Sequence, residues 1–126
     1  MNKEFIPYEQ ALALKELGFD EPCLGFYNKE DRPNLGYCTN SFQDDTTLEI
    51  KCTAPLYQQA FRWFREKHKL WAYNIPYNTG KYCIEIWRLV EGDDYVKTKE
   101  DRVIMDNWEE AELACLNKII ELIKTK

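Results

Sequence analysis

The 126-residue sequence contains one histidine, His68, which removes every mechanism that needs two of them. Its five glycines are scattered, so no glycine-rich loop can cradle a phosphate. Apolar runs extend for only a few residues, far short of the ~20 a membrane-crossing helix needs. The opening Met1–Lys3 leads directly into a mixed polar and apolar stretch. It lacks the unbroken apolar run of a secretory signal, so a cytoplasmic setting is expected. The five cysteines (Cys23, Cys38, Cys52, Cys83 and Cys115) are an odd number, and no two share a C-x-x-C spacing. That pattern offers neither a zinc knuckle nor a redox site, and it reads as reduced thiols that partly serve as small core hydrophobes. No metal and no cofactor are expected.

Hydrophobic residues make up 44% of the chain and aromatics 14%, enough to bury a core. The length suits a single domain across residues 1–126. A net charge of −5 repels nucleic-acid phosphates unless the basic residues gather on one face.

Local signals outline the elements. Pro7 suits a first helical turn and Gly18 a stop, so 7–17 reads as a helix. Residues 23–27 and 36–39 read as strands around a turn punctuated by Pro33 and Asn34. Residues 47–52 alternate as a third strand. Thr53 reads as an N-cap with Pro55 in the first turn of a second helix. In that helix Leu56, Tyr57, Ala60, Phe61, Trp63 and Phe64 fall in one arc of about 160°, opposite Gln58, Gln59, Arg62, Arg65, Glu66 and Lys69. Residues 70–77 and 81–89 read as strands around Asn78-Thr79-Gly80, with Tyr82, Ile84 and Ile86 on one face and Cys83, Glu85 and Trp87 on the other. A polar excursion starts at Glu91, and 103–105 reads as a short edge strand. Asn107, with Glu110 three residues on, starts the last helix as a capping box. The expected fold is α+β: an antiparallel sheet of four to six strands packed by about three helices, in the order α-β-β-β-α-β-β-α.

One short pattern recurs at three helix starts: Tyr8-Glu9-Gln10-Ala11, Tyr57-Gln58-Gln59-Ala60 and Trp108-Glu109-Glu110-Ala111. An aromatic and an alanine three residues apart share one side of a helix. The ring is expected to seal the end of the core, and the alanine to bring the backbone close to the sheet. The copies diverge beyond the tetrapeptide, which favours one packing problem solved three times over internal duplication. The pattern is scaffolding.

Phe61 to Trp71 interleaves basic residues with rings, which in linear form resembles a nucleic-acid arm. On a helix the rings take the inward arc, leaving Arg62, Arg65 and Lys69 as the best electropositive face. Glu49-Ile50-Lys51 matches the E-x-K fragment of magnesium-dependent nucleases, but Asp44 and Asp45 are too close in sequence to supply the missing acidic partner, and Asp31, which could, sits in a turn. Asp44-Asp45 and Asp93-Asp94 lack calcium-loop spacing and read as solvated turns. Glu112 lies on the apolar arc of the last helix, either reaching water or buried with a raised pKa or a cationic partner. His68 reads as a boundary residue.

The opening Ile-Pro-Tyr-Glu-Gln-Ala-Leu-Ala-Leu-Lys-Glu-Leu-Gly-Phe and the ending from Asn107 resemble those of small bacteriophage and prophage proteins. The arrangement of Ala54-Pro55, Trp63-Phe64, a hairpin and a helix starting Glu-Glu-Ala resembles the phage ABA sandwich domain. The resemblance implies a compact α+β fold and a phage or mobile-element setting in a bacterial host, and it brings no catalytic or binding residues with it. The expectation is therefore a small, non-enzymatic accessory protein that binds another protein, of host or phage, through aromatic residues. Trp71, Trp87 and Tyr95 are the candidate contacts. The alternatives are nucleic-acid binding through Arg62, Arg65 and Lys69, and the magnesium-dependent nuclease. Homo-oligomer formation is left open.

Overall fold

The computed structural model describes residues 4–28, 32–40, 50–77, 80–90, 94–97 and 103–124; within them, the side chains of residues 77, 89, 90, 94–97 and 103 lie outside the description. The class is α+β, with three helices and seven strands among the described residues. The elements are α1 (Tyr8–Glu16), β1 (Cys23–Tyr27), β2 (Asn34–Cys38), β3 (Cys52–Thr53), α2 (Tyr57–His68), β4 (Leu70–Tyr77), β5 (Lys81–Val90), β6 (Asp94–Lys97), β7 (Val103–Met105) and α3 (Trp108–Lys124). The expected order is present, with β6 and β7 standing between β5 and the last helix. The strands are divided between two antiparallel sheets rather than gathered in one. The chain forms two compact units, Met1–Ala60 and Phe61–Lys126, and the boundary falls inside α2.

In the first unit the sheet order is β2-β1-β3. Gly18, at φ 98°, ends α1. Its N–H donates to Lys15 O (3.1 Å) and the Phe19 N–H to Leu14 O (2.9 Å), which is the paired hydrogen bonding of a Schellman stop. Leu14 and Phe19, the two apolar residues of that motif, are both buried. Tyr27 carries β1 into the core: its hydroxyl donates to Ile6 O (2.7 Å), and its ring meets Tyr8 edge-on at 5.5 Å.

Thr53 is not the cap of α2. It is a buried β3 residue whose N–H donates to Asn40 Oδ1 (2.9 Å), and the helix bonding begins at Leu56, whose carbonyl accepts from the Ala60 N–H (3.0 Å). The Ala54-Pro55 pair keeps the chain extended before the helix can start. Of the expected third strand at 47–52, only Cys52 lies in β3; Ile50 and Lys51 stand outside any strand, and 47–49 lie outside the described residues.

In the second unit β5 is central. β4 lies along one side; on the other, β7 pairs with the first part of β5 and β6 with the last. The polar excursion after Glu91 thus contains a strand, β6, which β5 recruits through the register Leu89 to Tyr95. α3 covers one face of this sheet. Ala111 and Cys115 pack on Ile84, with Phe61, Ala72, Tyr82, Met105 and Ala114 around them. Asn107 caps α3 as expected, its Oδ1 accepting the Glu110 N–H at 2.8 Å.

The recurring tetrapeptide starts a helix at all three places. Ala11, Ala60 and Ala111 are buried. The ring is buried at Tyr57 and half-buried at Tyr8, but Trp108 is 43% exposed. Trp108 lies edge-on to Tyr82 at 5.5 Å instead of sealing the core.

Candidate functional site

Strand alternation decides what the second sheet shows on the face away from α3. Opposed residues of an antiparallel pair share a face. The register Trp71 to Trp87, Tyr73 to Glu85 and Ile75 to Cys83 therefore sets Trp71, Tyr73, Ile75, Glu85 and Trp87 together on that face. Ile104 joins them through its pairing with Cys83. Tyr73 (45%), Ile75 (39%) and Ile104 (47%) are exposed to water, while Trp71 and Trp87 are half-buried against each other's strands. Cys83, small and flanked by Ile75 and Ile104 in the register, is buried among these larger side chains.

Tyr73, Ile75, Glu85 and Trp87 line an open groove of about 400 Å³. Its wall is largely apolar, with one carboxylate. The Trp87 indole N–H donates to Glu85 Oε1 (3.3 Å), which orients the carboxylate and the ring within one strand. On the opposite face α3 supports the groove from behind: the Cys115 thiol points to Tyr73 O (3.8 Å), and Asn74 Nδ2 donates to Trp108 O (3.4 Å). A rigid, uncovered aromatic surface of this kind can hold a partner's side chain.

Of the three residues expected to make contacts, the sheet brings Trp71 and Trp87 together. Tyr95 stands on β6 opposite Leu89, and its side chain lies outside the description. The more exposed residues, Tyr73, Ile75 and Ile104, escaped the sequence reading. The signal that could have found Tyr73 and Ile75 was present, since they alternate with Trp71 along one strand. Nothing local marks Ile104, whose place comes from pairing with a strand twenty residues earlier.

The basic helix separates as expected. Trp63 and Phe64 are buried and Phe61 is half-buried, whereas Arg62, Glu66, Lys67 and Lys69 are exposed and Arg65 is half-buried. Trp63 and Phe64 also pack against His68, with ring centroids at 5.0 and 6.0 Å, so the single histidine is a half-buried packing residue. Lys69 stands beyond the helix at φ 58°, so its direction is set by the turn into β4. Glu49 of the E-x-K fragment, Asp31, Asp44, Asp45 and Asp93 lie outside the described residues; Lys51 is exposed before β3, and its carbonyl accepts from Lys15 Nζ (2.7 Å).

Glu112 is half-buried, and Cys23, Cys52 and Cys115 are buried. Burial raises the Glu112 carboxyl above its ordinary value; a hydrogen bond with Trp108 opposes this and the charge of Glu109 adds to it. Burial likewise pushes the thiols of Cys23 and Cys52 up to about 11 and that of Cys115 to about 12. All five cysteines are free and buried. Among the described residues no three His, Cys, Asp or Glu side chains form a group able to hold a metal ion, and no helix is long and apolar enough to cross a membrane. Comparison with protein-family models, curated proteins and solved structures gives no match.

Proposed function

We propose that this chain is a non-enzymatic interaction module that binds a protein partner on the uncovered face of its second sheet. The observation that carries the reading is the aromatic surface of Trp71, Tyr73, Ile75, Trp87 and Ile104, with its groove of about 400 Å³. Aromatic rings held on a rigid sheet give large contact area with little side-chain entropy to lose, which is the character of an interface anchor. The setting proposed with it is a phage or mobile-element accessory role in the cytoplasm of a bacterial host, supported by the resemblance of the two ends of the chain. Nucleic-acid binding through Arg62, Arg65 and Lys69 is the weaker reading, because the net charge of −5 opposes it and Glu66 stands exposed among the cations.

The test is affinity capture from host cells, with the captured protein then purified and titrated against the wild type and Trp87→Ala. The expected result is one specific partner whose affinity falls at least tenfold in the variant, with an unchanged far-ultraviolet circular dichroism spectrum. Equal affinity of the two proteins would remove this face from consideration.

A further inference from the structure

We infer that two copies of this chain associate through β4, pairing antiparallel about a two-fold axis so that two four-stranded sheets become one. β4 is an outer strand of the second sheet, and β5 is the one strand it pairs with among the described residues. At eight residues, Leu70–Tyr77, it is long for an edge, and its sequence Leu-Trp-Ala-Tyr-Asn-Ile-Pro-Tyr contains no charged side chain. Edge strands that remain unpaired are usually short, charged or bulged, because their open N–H and C=O groups are a template for another strand. β4 has none of these protections along its first six residues. Its only interruption is Pro76, near the end.

Pro76 also indicates the register. A proline is kept in a strand with its missing N–H on the outer side. By alternation, Leu70, Ala72 and Asn74 then direct their backbone groups outward as well. The self-pairing that uses these groups best centres on Tyr73. Ala72 and Asn74 of one copy exchange hydrogen bonds with Asn74 and Ala72 of the other, and the Leu70 N–H meets the Pro76 carbonyl, while the Leu70 carbonyl, opposite a proline without an N–H, accepts nothing from that strand. In that register Tyr73 faces Tyr73 across the axis, and Trp71 of one copy faces Ile75 of the other. These are aromatic and aromatic–aliphatic cross-strand pairs, the favourable kind. A two-fold axis sets the central residues against themselves, so a charge there would forbid it; β4 passes that test.

Of the other uncharged outer strands among the described residues, β3 and β7 have only two and three residues, and β2 competes less well. It has five residues, Asn-Leu-Gly-Tyr-Cys, and a two-fold pair there would centre on Gly36, which has no side chain to contribute. Pairing through β4 also has a consequence for the groove. Ile75 forms part of its lining, so Trp71 of the second copy would extend the groove's wall across the axis. The inference stands independently of the proposed partner, since it is read from oligomeric state alone.

The experiment measures the mass of the full chain in solution by light scattering, for the wild type, Ile75→Lys and Leu35→Lys. The expected result is twice the chain mass for the wild type and Leu35→Lys, and a fall to the single-chain mass for Ile75→Lys with an unchanged circular dichroism spectrum. Tyr73→Cys, oxidised with diamide, should give a reducible dimer band, and Leu35→Cys should not. Because Tyr73, Ile75 and Leu35 are exposed, these variants leave the core intact. A wild type with the single-chain mass at its highest soluble concentration overturns the inference. So does a dimer that survives Ile75→Lys, or one that Leu35→Lys dissociates.

Discussion

At the scale of single residues, burial is the largest cause of the raised pKa of Glu112. Glu112 is half-buried on α3 and its carboxyl is raised from the usual 4.5. A carboxyl that is more basic in the folded chain penalises folding once it ionises, so stability falls as pH rises from the unfolded value through the folded one. Glu112→Gln should therefore leave stability unchanged below about pH 4 and increase it at neutral pH, as measured by urea midpoints across that range. A variant that is less stable at pH 7 would show that the ionised carboxylate has a stabilising partner. Lys69 offers a second case. A side chain at positive φ costs about 1–2 kcal/mol, part of which glycine's larger unfolded-chain entropy offsets. Lys69→Gly should accordingly stabilise the protein by up to about 1 kcal/mol, whereas Lys69→Val should destabilise it. Thermal denaturation of the two variants separates this backbone effect from any role of the charge.

At the scale of elements, the signals that succeeded were those acting within a few residues. Asn107 reads as a cap from sequence because a short side-chain acceptor is needed there to meet the Glu110 N–H, and the structure contains that bond. Asn107→Ala should cost about 1 kcal/mol, measured as a shift of the unfolding midpoint with no change in slope. Thr53 carried the same local signal and was misleading. The cap pattern competed with pairing between β1 and β3, in which Thr53 opposes Phe26, and the sheet pairing prevailed. β6 was illegible for the complementary reason: Asp94-Tyr-Val-Lys is short and charged at both ends, and becomes a strand because β5 extends far enough to pair with it. The alternation in β5 did distinguish the face that α3 covers from the one that holds Glu85 and Trp87. Which of those two faces would stay open depended on where the last helix settled.

At the scale of the whole molecule, charge is the quantity that sequence alone supplies. A net charge of −5 repels phosphates, and Trp63 and Phe64 of the basic helix are buried, so those two rings offer no stack to a base beside Arg62, Arg65 and Lys69. Fluorescence anisotropy with single- and double-stranded DNA at low salt should show no saturable binding; affinity that falls steeply with added salt would instead restore the Arg62, Arg65 and Lys69 face as a binding site. Composition, the cap and start of the last helix, the alternation of β5 and the inward turn of Trp63 and Phe64 were determined by the sequence itself, because each follows from backbone period and side-chain chemistry over a few neighbouring residues. Tertiary structure alone decided that the strands divide into two sheets, that Trp108 stays partly open, and that Tyr73, Ile75 and Ile104 share a face with the two tryptophans. Those outcomes depend on which distant segments pair. Pairing is chosen by the burial and hydrogen bonding of whole surfaces at once, a sum that no short window of residues contains.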